Sequence, residues 1–229
     1  FPEIIGRDRI AQAARVSNPG CYPTGFLGLV APLVRAGLLP ADWPFTVNAV
    51  SGYSGGGKAL IERFEADGAP AFRAYGYDLA HKHLPEMAVY GGLAAAPLFV
   101  PAVGHFKCGM LVHVPLTRTQ LAKAAGVADV QAVLAERYAG ERFVSVAPPG
   151  GGDRLRDGKF LDPRELNGTN RLELFVFGND AAGQILLAAR LDNLGKGASG
   201  AAVQNLNLML GLDEAAGLET TLPLSETTM

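Results

Sequence analysis

Apolar positions along this chain alternate between two periods, and the changes of period divide it into helices and strands. Phe26, Leu27, Leu29, Val30, Leu33 and Val34 recur at helical spacing, which predicts a helix over 24–37 with Pro32 placed to kink it. Further helices are expected at 59–65, at 127–139 with Asp129 in the first turn, and at 199–210, where Val203, Leu206 and Leu210 form the apolar face. Alternating or β-branched stretches predict strands at 45–50, 97–103, 108–116 and 143–146. Residues 171–177 and 184–191 read as a hairpin joined through Gly178-Asn179-Asp180 and Gly183, and 7–15 as a short helical or extended lead-in. Strands in hairpin linkage with helices between some of them imply an α+β domain with a mixed, mainly antiparallel sheet.

Composition narrows the class. With 229 residues, 48% of them hydrophobic and 18% charged, the chain has ample material for a core. A formal net charge of −2 gives no reason to expect a nucleic-acid surface. Two cysteines, Cys21 and Cys108, cannot build a disulfide framework or a thiolate zinc cluster, a usage that fits a reducing, cytoplasmic setting. No apolar run suits a bilayer, and no secretory leader is expected. The first residue is Phe1, so the sequence is expected to start downstream of an initiator Met, and Thr220–Met229 is expected to be a loose polar tail.

The densest chemistry lies in Ser17-Asn18-Pro19-Gly20-Cys21-Tyr22-Pro23-Thr24-Gly25. A Pro-Gly turn delivers Cys21 to the start of a helix whose first turn accepts Pro23. Free N–H groups and the positive end of the helix dipole would lower the thiol pKa there and favour a nucleophilic thiolate; a buried structural cysteine is the alternative. A partner is offered by His81-Lys82-His83-Leu84-Pro85-Glu86. In an extended segment His81 and His83 share a side, Pro85 excludes a helix, and Glu86 can orient an imidazole. His-x-His also suits zinc, but spacing supplies no third ligand, so no metal is assigned. His105 and His113 have no partner in sequence and read as structural.

Two glycine-rich turns open helices. Ser51-Gly52-Tyr53-Ser54-Gly55-Gly56-Gly57-Lys58 follows a strand, and Gly195-Lys196-Gly197-Ala198-Ser199-Gly200 precedes the last helix. Backbone N–H groups in such turns can cradle an anion. The first is not a P-loop, because Ala59 follows Lys58. No Gly-x-Gly-x-x-Gly lies between a first strand and a first helix. Gly150-Gly151-Gly152 reads as a surface loop, and Arg171 and Arg190 are available to a substrate carboxylate without being singled out.

The four segments around Cys21, Asn48–Lys58, His81–Glu86 and Asp192–Asn205, in this order, resemble the N-acetyl-γ-glutamyl-phosphate reductases of arginine biosynthesis, in their shorter type-2 form, over nearly the whole chain. The resemblance implies the architecture of the aspartate-semialdehyde and glyceraldehyde-phosphate dehydrogenases, with Cys21 as nucleophile, His81 or His83 as acid/base and Glu86 beside it. It implies NADP(H) as cofactor, with Ser54, Gly55, Gly57, Gly195, Lys196 and Gly197 facing cofactor or substrate, and an acyl phosphate as the small-molecule substrate of a homo-oligomer. Residues 1–20 are then a connection from a Rossmann domain missing from this sequence, 21–195 the catalytic and dimerisation domain, 196–212 a helix returning to the missing domain with its apolar face exposed, and 213–229 a tail. A cysteine hydrolase or acyltransferase without nicotinamide, and a non-catalytic dimerisation fragment, are the competing readings.

Overall fold

The computed structural model describes residues 1–122 and 125–218. Two short helices, α1 (Pro2–Ile5) and α2 (Arg7–Ala11), lead into the long helix α3 (Cys21–Arg35). Strand β1 (Thr46–Gly52) runs into a 3₁₀ turn (Tyr53–Gly56) and helix α4 (Lys58–Glu65). Then come β2 (Phe72–Ala74), α5 (Leu84–Gly91), β3 (Leu98–Gly104) and β4 (Met110–Thr117). Helix α6 (Val127–Arg137), β5 (Val144–Val146), β6 (Leu172–Asn179) and β7 (Gln184–Leu191) follow, and a π-turn (Gly195–Ser199) opens α7 (Gly200–Met209).

The strands form one sheet in the order β2-β3-β1-β4-β7-β6-β5. Only β1–β3 and β5–β6 are parallel; the other four pairings are antiparallel, giving the mixed, mainly antiparallel α+β sheet expected from the hairpin pattern. The hairpin β6–β7 forms in register from Leu172↔Leu191 to Asn179↔Gln184. Helix α1 has no counterpart in the expected elements, and two further elements depart from expectation. β2 is a three-residue edge strand, too short to carry a period. α5 forms where Pro85 was expected to exclude a helix; Pro85 instead sits in the first turn, where the N–H it lacks has no intrahelical acceptor.

Helix α3 explains why the core sits where it does. Every residue from Tyr22 to Leu33 is buried, because the sheet covers one side and α1, α5 and α6 cover the rest. Gly25 and Gly28 face the sheet: a Cβ at Gly25 would lie 2.8 Å from Val112 Cγ2, and one at Gly28 would lie 3.0 Å from Leu172 Cδ2. Pro32 cannot donate to the Gly28 carbonyl one turn back. That carbonyl instead accepts a 2.8 Å hydrogen bond from the Tyr138 hydroxyl at the end of α6.

On the opposite face of the sheet, the segment 147–166 covers Phe175 and Ala188. Gly150, Gly151 and Gly152 all take positive φ (71°, 87° and 52°); Gly150 and Gly152 are exposed, as the surface loop expected from composition requires, while Gly151 is buried against Leu155 and Phe177 and anchors the loop. Arg154, Arg171 and Arg190 converge there on the buried Glu173, which occupies the two arginines offered above to a substrate.

Helix α7 presents an inverted pattern. Gln204, Asn205 and Asn207 are buried, while Val203, Leu206 and Leu210 are exposed, as the expectation of an uncovered apolar face requires. Residues 213–218 are held, in contrast to the tail expected there: Ala215 is buried, Asp213 pairs with Arg142 at 2.9 Å and Glu214 with Arg7 at 2.7 Å. The expected tail over Thr220–Met229 lies outside the described residues. Among the described residues no helix is long and apolar enough to cross a membrane.

Candidate active site

Cys21 is the first residue of α3, as the Pro-Gly turn implied. It lines a cavity of about 370 Å³ together with Tyr22, Ser51, Arg73, His81 and His83, with Gly55 and Gly56 in the wall. His83 caps α5 and lies against the chain immediately before the thiol: a Cβ added to Gly20 would fall 2.1 Å from its ring. Only glycine admits the imidazole here. Glu86, one turn into α5, accepts from His83 Nδ1 at 2.6 Å and from the Gly20 N–H at 3.3 Å. The carboxylate thus orients the ring and ties it to the turn that carries Cys21. His83 Nε2 is left with no protein partner among the described residues.

His81 is placed differently. Its Nδ1 accepts the backbone N–H of His83 at 3.2 Å, and its ring packs between Phe99, Tyr75 and Tyr22. Burial, aided by the charges of His83 and Lys82, pushes its pKa below the ordinary histidine value. Geometry therefore separates two histidines that sequence left equivalent: His83 carries the carboxylate orienter, while His81 supports its backbone.

The ionisation of Cys21 corrects an expectation. Burial pushes the thiol up to about 11. The N–H groups of Tyr22 and Cys21 and the charge of Lys82 pull it down but do not offset the loss of water, and Glu86 adds to the rise. The dipole argument gave the correct sign for one contribution and missed the larger one, because burial is invisible in a nine-residue motif.

The two glycine turns meet different fates. Ser54 is buried and accepts from Asn193 Nδ2 at 3.0 Å, Gly55 faces the cavity, and Gly57 caps the start of α4 with φ of 72°. In the second turn a Cβ at Gly197 would lie 2.7 Å from Cys21 Cβ, and one at Gly195 would lie 2.1 Å from the Thr169 carbonyl. The turn is a floor beneath the nucleophile. Its spacing does satisfy Gly-x-Gly-x-x-Gly, but the glycines serve close packing. Lys196, expected to face cofactor or substrate, is instead buried: Nζ donates to Glu3 Oε1 at 2.6 Å and Gln204 Oε1 at 2.7 Å, between the rings of Phe1 and Phe143. Burial alone would raise the Glu3 carboxyl; the Lys196 ammonium, with hydrogen bonds from Lys196 and Gln204, brings it below its ordinary value.

His105 packs edge-on to Tyr53 and Phe64, and His113 lies partly buried within β4, both away from this cluster. Sequence reasoning passed over Arg73 and Tyr75. The signal was the alternation Arg73-Ala74-Tyr75, which puts both on one face of an extended segment.

Comparison with known proteins establishes the family. A model of the semialdehyde dehydrogenase dimerisation domain matches residues 21–193. The N-acetyl-gamma-glutamyl-phosphate reductase 2 of Nostoc sp. is 54% identical over 228 residues, an overlap of 95% of this chain and 71% of that protein. The Pseudomonas putida protein of the same name is 51% identical over 213 residues, 92% of this chain and 67% of its own length. Aspartate semialdehyde dehydrogenase II from Vibrio cholerae shares the fold with a TM-score of 0.65 at 17% identity, over 92% of this chain and 67% of that one. The chain belongs to the semialdehyde dehydrogenase family and, within it, to the N-acetyl-gamma-glutamyl-phosphate reductases.

Proposed function

We propose that the protein to which this chain contributes reduces N-acetyl-L-glutamyl 5-phosphate to N-acetyl-L-glutamate 5-semialdehyde, releasing phosphate and consuming NADPH, as a cytoplasmic step of arginine biosynthesis. The observation that carries the reading is the meeting of Cys21 with a carboxylate-oriented His83 at one cavity, on a chain 54% identical to a reductase of that name. A thiol held neutral by burial needs a base, and His83 Nε2 is the unpartnered nitrogen in that position. As Cys21 Sγ bonds to the γ-carbonyl carbon, its proton passes to His83, the C–O bond to phosphate breaks, and a thioester remains. The same imidazolium then returns a proton to the alkoxide that develops during reduction; His83 takes it back as the C–S bond breaks to release the aldehyde, and the proton passes to the departing Cys21 sulfur, restoring the thiol. Glu86 keeps the ring in the required tautomer and stabilises its charge.

NADPH, when bound, supplies the hydride. The residues present fit its reacting end and not its phosphates. Gly55 opens the cavity wall, whereas Ser54 is bonded to Asn193, Lys196 to Glu3, and Gly195 and Gly197 are spent on packing. The adenosine and phosphate groups are therefore assigned to residues outside those described, with 1–20 and α7 as the connections to them and a homo-oligomer as the working form.

The test is phosphate-dependent reduction of NADP⁺ by N-acetylglutamate 5-semialdehyde with the full-length protein. Cys21→Ser is expected to lose at least about 10³-fold in kcat. Substantial turnover by that variant, or none by the wild type, overturns the reading.

A further inference from the structure

The cavity that holds Cys21 has an unusual charge balance. Among the described residues its lining contains two permanent cations, Arg73 and Lys82, and no carboxylate, since Glu86 lies behind His83 and not in the wall. Arg73 lines this cavity from its exposed side and has no hydrogen-bond or ion-pair partner among the described residues.

Register fixes its direction. β2 pairs antiparallel with β3 so that Arg73 lies opposite Val103, and both line the cavity. Tyr75, two residues on, lines it as well, while Phe72 and Ala74 belong to the other face. Lys82 lies between His81 and His83 in the chain and lines the same cavity, which leaves Arg73 as the cation on a separate wall, that of β2. The substrate of the reaction proposed above carries a second anion, an α-carboxylate three carbons from the reacting carbonyl. A planar guanidinium matches a carboxylate with two parallel hydrogen bonds, which an ammonium cannot do.

We propose that Arg73 is the ligand of the substrate α-carboxylate and so selects an N-acylated amino-dicarboxylate acyl phosphate over acyl phosphates lacking that group. The assignment rests on the reductase reading, and the experiment separates the two. With the full-length protein, Arg73→Gln is expected to raise KM for N-acetylglutamate 5-semialdehyde about 10–100-fold, the loss of a charged hydrogen-bond pair. KM for phosphate and the melting temperature stay unchanged, and Arg73→Lys recovers part of the loss. An unchanged aldehyde KM, or a rise in KM for phosphate instead, overturns the inference. In parallel, N-acetylglutamate is titrated by calorimetry onto wild type and Arg73→Gln. If the wild type shows no turnover, the reductase reading fails, yet at least tenfold weaker N-acetylglutamate binding by the variant still supports Arg73 as a carboxylate ligand. Equal binding by both, or no binding by the wild type, overturns it.

Discussion

Two glycine-rich turns in this chain have the same local grammar, and the fold uses them in opposite ways. Ser54–Gly57 follows a strand, opens a helix and leaves Gly55 on the wall of the Cys21 cavity. Gly195–Gly200 also opens a helix after a strand, but its glycines let backbone press against Cys21, Thr169 and Asn170. Its lysine is drawn inward by a carboxylate from the other end of the chain, Glu3. The difference lies in what stands behind each turn. A buried carboxylate fixes a nearby ammonium as structure, and an open cavity leaves the turn available for ligand.

That contrast can be broken at several points. The largest effect is expected from Lys196→Met, which strands a buried Glu3 and should cost about 3–5 kcal/mol, or about 10 °C in melting temperature for a chain of this size. Adding Glu3→Gln should restore much of the loss. If Lys196→Met melts like wild type but weakens NADP⁺ binding, the second turn is a ligand turn after all. The pair also sets a pH response. Because the folded state holds the Glu3 carboxyl below its ordinary value, its contribution is fully present above the unfolded carboxylate pKa and is lost as pH falls through the lowered folded value. Glu3→Gln should flatten the acid limb of a pH–melting curve.

On the cavity side, Glu86→Gln should lower kcat by about 10²-fold, the contribution of an oriented acid/base, with little change in melting temperature. An equal fall in stability would make Glu86 a strut and not an orienter. Gly197→Ala is intermediate, since its Cβ would sit 2.7 Å from Cys21 Cβ. About 1–3 kcal/mol of overpacking is expected, together with altered alkylation of the thiol. The smallest signal is the thiol titration itself. Alkylation of Cys21 by iodoacetamide should rise along a curve centred near 11. Folding binds that proton more tightly than the unfolded chain does, so the associated stability is present at neutral pH and lost as pH rises from the ordinary thiol value towards 11. A curve centred below the ordinary value would show that the helix N-terminus outweighs burial.

Much of this was legible in sequence, and the misreadings have physical causes. The α3 helix, both central hairpin strands and the clustering of Cys21 with the His81–Glu86 segment follow from period and from the chemistry of residue types. Pro85 misled because a proline ends one helix and begins another with equal ease, and only the neighbouring turns decide which. Lys196 misled because its partner Glu3 lies 193 residues away, beyond any local pattern. Arg73 went unnoticed because a three-residue edge strand acquires a face only when β3 pairs with it. The two histidines became distinct only once Nδ1 of each had a partner.

The proline in α3 has a consequence for how the chain reaches its native state. Helix α3 cannot close its own ladder of backbone bonds: the missing rung at Pro32 leaves the Gly28 carbonyl to be completed by the phenol of Tyr138. Secondary structure in one helix is thereby made conditional on the arrival of another more than a hundred residues later in the chain. The rung that Pro32 removes is closed by tertiary packing, so the backbone of α3 is fully satisfied only where α6 docks against it.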